Sequence, residues 1–175
     1  MLIKKPGARM IKTGLALFLA MLISSLRPKG LPFYSGIAAI ICMQQDLSST
    51  FIKGVNRAIG TIIGGLTGLV YLLIVDGMGL PKVVNIFFLS LIVIGLIWIL
   101  ASFEKHLAIT IAGIVFLSVT VNHANDAAGP VLFAVSRIID TIIGIFAAIF
   151  VNWADFEFRK RYRHRKDSKN KKTRT

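Results

Sequence analysis

Apolar residues run along this chain in long blocks, broken at a few points by prolines, glycines and charges. A bilayer core needs about 20 apolar residues per helix, with roughly 17–25 usual. Six segments approach that length: Ile11–Leu26, Leu31–Gln44, Ala58–Val75, Val83–Phe103, Leu107–Val121 and Val131–Trp153. The pattern predicts an all-α fold, a polytopic membrane bundle of six transmembrane helices spanning residues 1–155, followed by a basic tail over 156–175. The second segment is short for a span, and the first two could instead form a shallow hairpin. Helix breakers divide the blocks. Arg27-Pro28-Lys29-Gly30-Leu31-Pro32 makes a tight turn, as do Asp76-Gly77-Met78-Gly79-Leu80-Pro81 and the stretch from Asn122 to Pro130. Pro130 suits the first turn of the last helix.

Composition agrees with a membrane protein. Hydrophobic residues make up 55% of the 175 residues and the mean hydropathy is +0.72, too apolar for an ordinary soluble domain. The net charge of +13 is concentrated between Arg159 and Arg174, so it describes a tail and not a uniformly basic surface. With the N-terminus inside, the cytoplasmic side holds Lys4, Lys5, Arg9, Lys12, Lys53, Arg57, Lys105 and the tail. The other side holds Arg27, Lys29, Lys82 and Arg137. That bias puts both termini in the cytoplasm. The basic start is not read as a secretory signal, because no small-x-small cleavage site follows and the apolar blocks continue. The tail is expected to be disordered beyond a short helical extension, acting as a topology anchor or binding anionic lipid headgroups. No nucleic-acid partner is expected.

A repeated pattern carries the most information. Arg57-Ala-Ile-Gly60-Thr61-Ile-Ile-Gly64-Gly-Leu-Thr-Gly68 matches Arg137-Ile-Ile-Asp140-Thr141-Ile-Ile-Gly144-Ile-Phe-Ala-Ala148 at an offset of 80 residues. The offset covers three helices, an odd number, which predicts two inverted three-helix repeats of the kind found in secondary transporters. In each copy the singled-out residues fall at i, i+3, i+4, i+7 and i+11, on one helix face. Gly60, Gly64 and Gly68, with Gly144 and Ala148 in the second copy, form small-residue ladders for close helix packing. Arg137 and Asp140 sit one turn apart in an apolar segment and can pair with each other. Buried charges of this kind face a bundle interior or a cavity. The pair either fixes packing near the helix end or, with Arg57, Thr61 and Thr141, lines a pathway for an anion, Asp140 handling a coupling proton or ion. An arginine suits a carboxylate through paired hydrogen bonds.

Gln44, Gln45 and Asp46 follow the second segment, and Asn122, Asn125 and Asp126 follow the fifth. These clusters line a vestibule or cap the following helices, as Ser48, Ser49 and Thr50 also can; capping is the favoured reading. His106 and His123 flank the fifth segment at the interface, and His164 belongs to the tail. The lone Cys42, inside an apolar run, has no partner for an internal disulfide or a metal site and reads as a small buried hydrophobe.

The motifs Arg9-x-x-Lys12-Thr13-Gly-Leu-Ala, Met43-Gln44, Asn56-Arg57-x-x-Gly60-Thr61-x-x-Gly64-Gly and Arg137-x-x-Asp140-Thr141-x-x-Gly144 together resemble the aromatic acid exporter group of the fusaric-acid-resistance-like membrane proteins. The resemblance covers about residues 7–155. It implies a bacterial inner-membrane protein that exports aromatic carboxylates, with proton coupling. Many relatives carry a sizeable cytoplasmic domain after the spans, where this sequence has about twenty basic residues.

The expected function is therefore a secondary transporter for small organic anions, the alternative being a non-transporting interaction or assembly subunit. An enzyme is not expected: no nucleophile–base set, paired carboxylates, metal-ligand cluster or phosphate-binding glycine loop is present, since Gly64-Gly65 lacks a following Lys-Ser or Lys-Thr. No cofactor or metal is expected. The expected partners are membrane lipids, a small organic anion and, from the small size and glycine faces, further copies of the chain.

Overall fold

A computed structural model describes residues 7–75, 78–79, 81–122 and 129–172 of the chain. Its elements are six helices: α1 (Ala8–Ser25), α2 (Pro32–Cys42), α3 (Leu47–Val75), α4 (Lys82–Ser102), α5 (His106–Asn122) and α6 (Pro130–Lys172). No strand occurs among the described residues. Helix is the expected outcome for these blocks, because in lipid each backbone N–H and C=O must be paired within its own segment.

Four of the helices, α1, α3, α4 and α6, are long and apolar enough to cross a membrane. The other two are shorter. α2 has 11 residues, about 16 Å at 1.5 Å per residue, roughly half of a 30 Å hydrocarbon core. It starts with Pro32 at its first turn, as the missing N–H of proline favours. α3 begins at Leu47, well before the expected Ala58, because Asp46 supplies its cap and the polar residues up to Arg57 continue the helix. α6 also outruns its expected end, extending helically through Lys172 where disorder was expected beyond a short extension. Ion pairs one turn apart support its first extra turns: Arg159 with Asp155 at 3.0 Å and Arg161 with Glu157 at 3.4 Å.

The packing inverts that of a soluble protein. Large apolar side chains such as Phe18, Leu73, Phe87, Trp98 and Phe146 point outward. The buried set is rich in small and polar residues: Ala16, Ala20, Ser24, Ser35, Ala39, Thr61, Thr141 and Ala148. In lipid there is no hydrophobic reward for burying leucine between helices, so close backbone approach and hydrogen bonding drive association. Gly60 of α3 lies against the Ala108 carbonyl of α5, Gly64 against Ala112, and Gly68 against Val119. These partners advance in step, so α3 and α5 run in the same direction. In the other half of the chain, Gly144 of α6 lies against Ser35, Ala38 and Ala39 of α2. α3 and α6 also touch each other, while α4 packs mainly on α5 and buries only Leu96 and Leu100.

α1 runs antiparallel to α6. Lys12 meets Asn152 at one level and Ser24 meets Asp140 at another, twelve residues along each helix. The α1–α2 turn therefore sits beside Asp140, ten residues inside the start of α6 at Pro130. Two apolar clusters fill the bundle. One joins Ala16, Ala20, Cys42, Met43 and Ala148; the other joins Tyr71, Leu96, Phe116, Val119 and Phe133.

Candidate functional site

Four helices enclose a cavity of about 310 Å³. Half of its lining residues are aliphatic, among them Ile37 and Ile41 from α2 and Ile111 and Ile114 from α5, and Asn56 and Thr110 are polar. Into this apolar space come Arg57 from α3 and Arg137 from α6, 6% and 5% exposed. Arg57 sits one turn before Gly60, the first of the three glycines that face α5. Arg137 occupies the matching place in the repeated segment of α6.

The two arginines are held differently. The Arg137 Nη1 donates to Ser118 Oγ at 2.6 Å, and its guanidinium stacks 3.9 Å above the Tyr34 ring. The Tyr34 hydroxyl lies 3.3 Å from the same Ser118 oxygen, and its ring meets Phe133 edge-on at 6.2 Å. Tyr34, itself lining the cavity, and Ser118 thus fix the plane of Arg137. Lys53, Leu107, Ile41 and Ile114 also line the cavity and are exposed, so it is open along this side of the bundle. The Nε atoms of both arginines are buried without a hydrogen-bond partner, as is the Thr61 hydroxyl. None of the described residues lining the cavity is acidic. Unpaired buried donors are costly, and two cations in one apolar space more so, so negative charge in this cavity would be favoured electrostatically.

Asp140 is not part of this cavity, and the Arg137–Asp140 pair expected from their spacing does not form. The Asp140 side chain is completely buried and turns to the α1–α2 turn. Its Oδ1 accepts from Arg27 Nη1 at 2.7 Å and from Ser24 Oγ at 2.7 Å, and its Oδ2 accepts the Leu31 N–H at 2.8 Å. A carboxylate with three donors at hand, one of them cationic, has no need of Arg137. Thr141 and Thr61 are both buried on the faces expected for them. Gly144 and Ala148 pack against α2 and its neighbouring cluster, as Gly60, Gly64 and Gly68 pack against α5.

The residues after α2 have two roles. Asp46 caps α3, its Oδ2 accepting the Ser49 N–H at 2.7 Å, and that backbone hydrogen bond holds its carboxyl below the ordinary value of 3.8. Gln45 and Asp46 also line a separate groove of about 760 Å³ with Phe51, Asn152, Trp153 and Arg159. Asn125 and Asp126, with His123, lie outside the described residues.

A second polar cluster was missed in the sequence. Lys12 Nζ, almost fully buried, donates to Asn152 Oδ1 at 2.7 Å and lies 3.1 Å from Asp155. The Asn152 Nδ2 donates to Thr50 Oγ1 at 2.7 Å, and Thr50 Oγ1 also accepts the Gln44 N–H at 3.1 Å. This cluster ties the start of α1, the end of α2 and the start of α3 to the middle of α6 and accounts for Lys12 and Gln44 in the motifs. An asparagine inside a long apolar segment was the available signal for it. Tyr34 and Ser118 carried no such signal.

An apolar exterior, long membrane-length helices and buried cations around a cavity define a multi-pass helical membrane protein. The chain belongs to the fusaric acid resistance protein-like family, whose sequence model matches residues 18–151. Among curated proteins it is similar to the UPF0421 protein YgaE of Bacillus subtilis (strain 168), 28% identical over 148 residues. The match covers 85% of this chain and 39% of that relative, so the chain spans well under half of the relative's length. No solved structure matches it.

Proposed function

We propose that the chain is a secondary transporter of small organic anions, aromatic carboxylates among them, that captures its substrate between Arg57 and Arg137. The observation that carries this reading is the pair of buried guanidiniums in one cavity, each with an unpartnered Nε and with no carboxylate among the described residues lining it. Family membership and the cavity's apolar walls support it. In this reading the substrate enters by an opening at the Lys53 end of the cavity, away from Tyr34. With the basic residues inside, that opening faces the cytoplasm, as export requires. In this reading the six helices form two inverted three-helix repeats with both termini inside. The packing of α3 on α5 and α6 on α2 supports that symmetry, since each pairs the last helix of one half with the middle helix of the other.

Asp140 serves as the coupling group, a proton on it weakening the hold of Arg27 and the Leu31 N–H on the α1–α2 turn, which carries Tyr34 just beyond it. The protein acts in a bacterial cell membrane as a homo-oligomer, without a cofactor or enzymatic step, its basic tail attracted to anionic headgroups. A membrane assembly subunit is the second reading, favoured by the largely bare α4.

Uptake of radiolabelled aromatic carboxylates into proteoliposomes under an imposed pH gradient tests the proposal. Wild type should carry flux above empty vesicles, and Arg137→Gln and Asp140→Asn should each lower it at least tenfold with insertion intact. Wild-type flux no greater than that of empty vesicles across a broad acid panel rejects transport in favour of the assembly subunit.

A further inference from the structure

The charge balance of the arginine cavity bears on the kind of anion it takes. Arg57 and Arg137 share the space, Lys53 adds a third positive group at the rim, and no acidic residue lines it among the described residues. Asp140, one turn from Arg137 on α6, is already matched by Arg27. A ligand with one negative charge would satisfy one guanidinium and leave the other buried without a counter-charge, a condition that charges within a membrane bundle avoid.

Each arginine also has a free edge. On Arg137, Tyr34 covers one face and Ser118 takes Nη1, while Nε has no partner. The Arg57 Nε is equally unpartnered. Nε and its neighbouring Nη form a side-on fork that accepts the two oxygens of one carboxylate. The two residues hold matching positions in the repeated segments, so the cavity offers two similar forks with an apolar middle of Ile37, Ile41, Ile111 and Ile114.

We propose that the cavity binds a dianion, an apolar-bodied dicarboxylate with one carboxylate on Arg57 and the other on Arg137. This rests on the anion-site reading above and narrows it. The two guanidiniums then each gain a counter-charge, and the ligand body replaces water against the isoleucine walls.

The test is binding to purified full-length protein in detergent at pH 7.5, comparing benzoate with its 1,2-, 1,3- and 1,4-dicarboxylate analogues by calorimetry. At least one dicarboxylate should bind ten times more tightly than benzoate or better. Arg57→Gln and Arg137→Gln should each bring that preference to within about twofold, with affinity for benzoate itself changed less. Benzoate binding as tightly as all three dicarboxylates overturns the dianion while leaving an anion site in place. No binding of any of the four acids by wild type overturns both the dianion and the site. The wild-type comparison decides the matter even where a variant fails to fold.

Discussion

Asp140 and Arg27 offer a sharp check on the geometry, because spacing along the chain points to a different partner. Removing Arg27 by substitution with Ala leaves the fully buried carboxylate with two neutral donors and no cation. Breaking a buried pair from one side costs about 3–5 kcal/mol, and two surviving hydrogen bonds place this case near 3 kcal/mol. Asp140→Asn costs a similar amount by another route. Its carbonyl oxygen can still accept from Ser24 and Arg27, but its amide turns a donor toward the Leu31 N–H, which loses its acceptor. Arg27, 27% exposed at its side chain, recovers part of the loss by taking up water. Once one partner is gone, losing the other matters less. The double variant should therefore fall about 2 kcal/mol short of the sum of the singles, within the range for residues in direct contact. Reversible unfolding in mixed micelles, followed by the fluorescence of Trp98 and Trp153, supplies the four stabilities. The parallel cycle between Asp140 and Arg137 should give a coupling of roughly 1 kcal/mol or less, since no hydrogen bond joins them. Additive losses at Arg27 and Asp140, or a larger coupling to Arg137, would refute the placement of the carboxylate on the α1–α2 turn.

Two further outcomes follow from local geometry. A Cβ at Gly64 would lie 3.0 Å from the Ala112 Cα and closer still to its carbonyl oxygen, and one at Gly144 would lie 2.6 Å from the Ala38 Cβ. Gly64→Ala and Gly144→Ala should each cost about 1–3 kcal/mol in the same unfolding assay. Gly95→Ala, which meets nothing within 4 Å, should lose nothing and gain up to about 1 kcal/mol; equal behaviour at Gly64 and Gly95 would discard the packing account. At Asp46 the bound Ser49 N–H depresses the folded-state value of the carboxyl. Its contribution is thus present above the ordinary carboxylate value and lost as the pH falls through the lower, folded one. Hydrogen exchange in the first turn of α3 should accelerate in wild type below about pH 4, relative to its intrinsic rate, and Asp46→Ala should abolish that dependence.

The sequence by itself determined that the chain is helical and membrane-embedded, and that it belongs with the fusaric-acid-resistance-like proteins. Lipid leaves an apolar block no other way to pair its backbone, so block length and breakers at Pro28, Pro81 and Pro130 nearly dictate the elements. It also singled out Arg137, because a charge in an apolar block stands out without any knowledge of its surroundings, and Arg57, which matches it in the repeated segment. Element ends were less legible: a polar cap at Asp46 and ion pairs past Trp153 carry α3 and α6 beyond their apolar stretches. The tertiary structure alone decided what each charge meets. Asp140 binds a residue 113 positions away and Lys12 one 140 positions away, whereas the nearer candidate at Arg137 turns to Ser118 and Tyr34. Such pairings depend on which helix faces meet and at what depth, and Gly60, Gly64 and Gly144 fix that by how closely they let neighbours approach. Local spacing gives the face of a helix a residue occupies, but only the packed bundle supplies its partner.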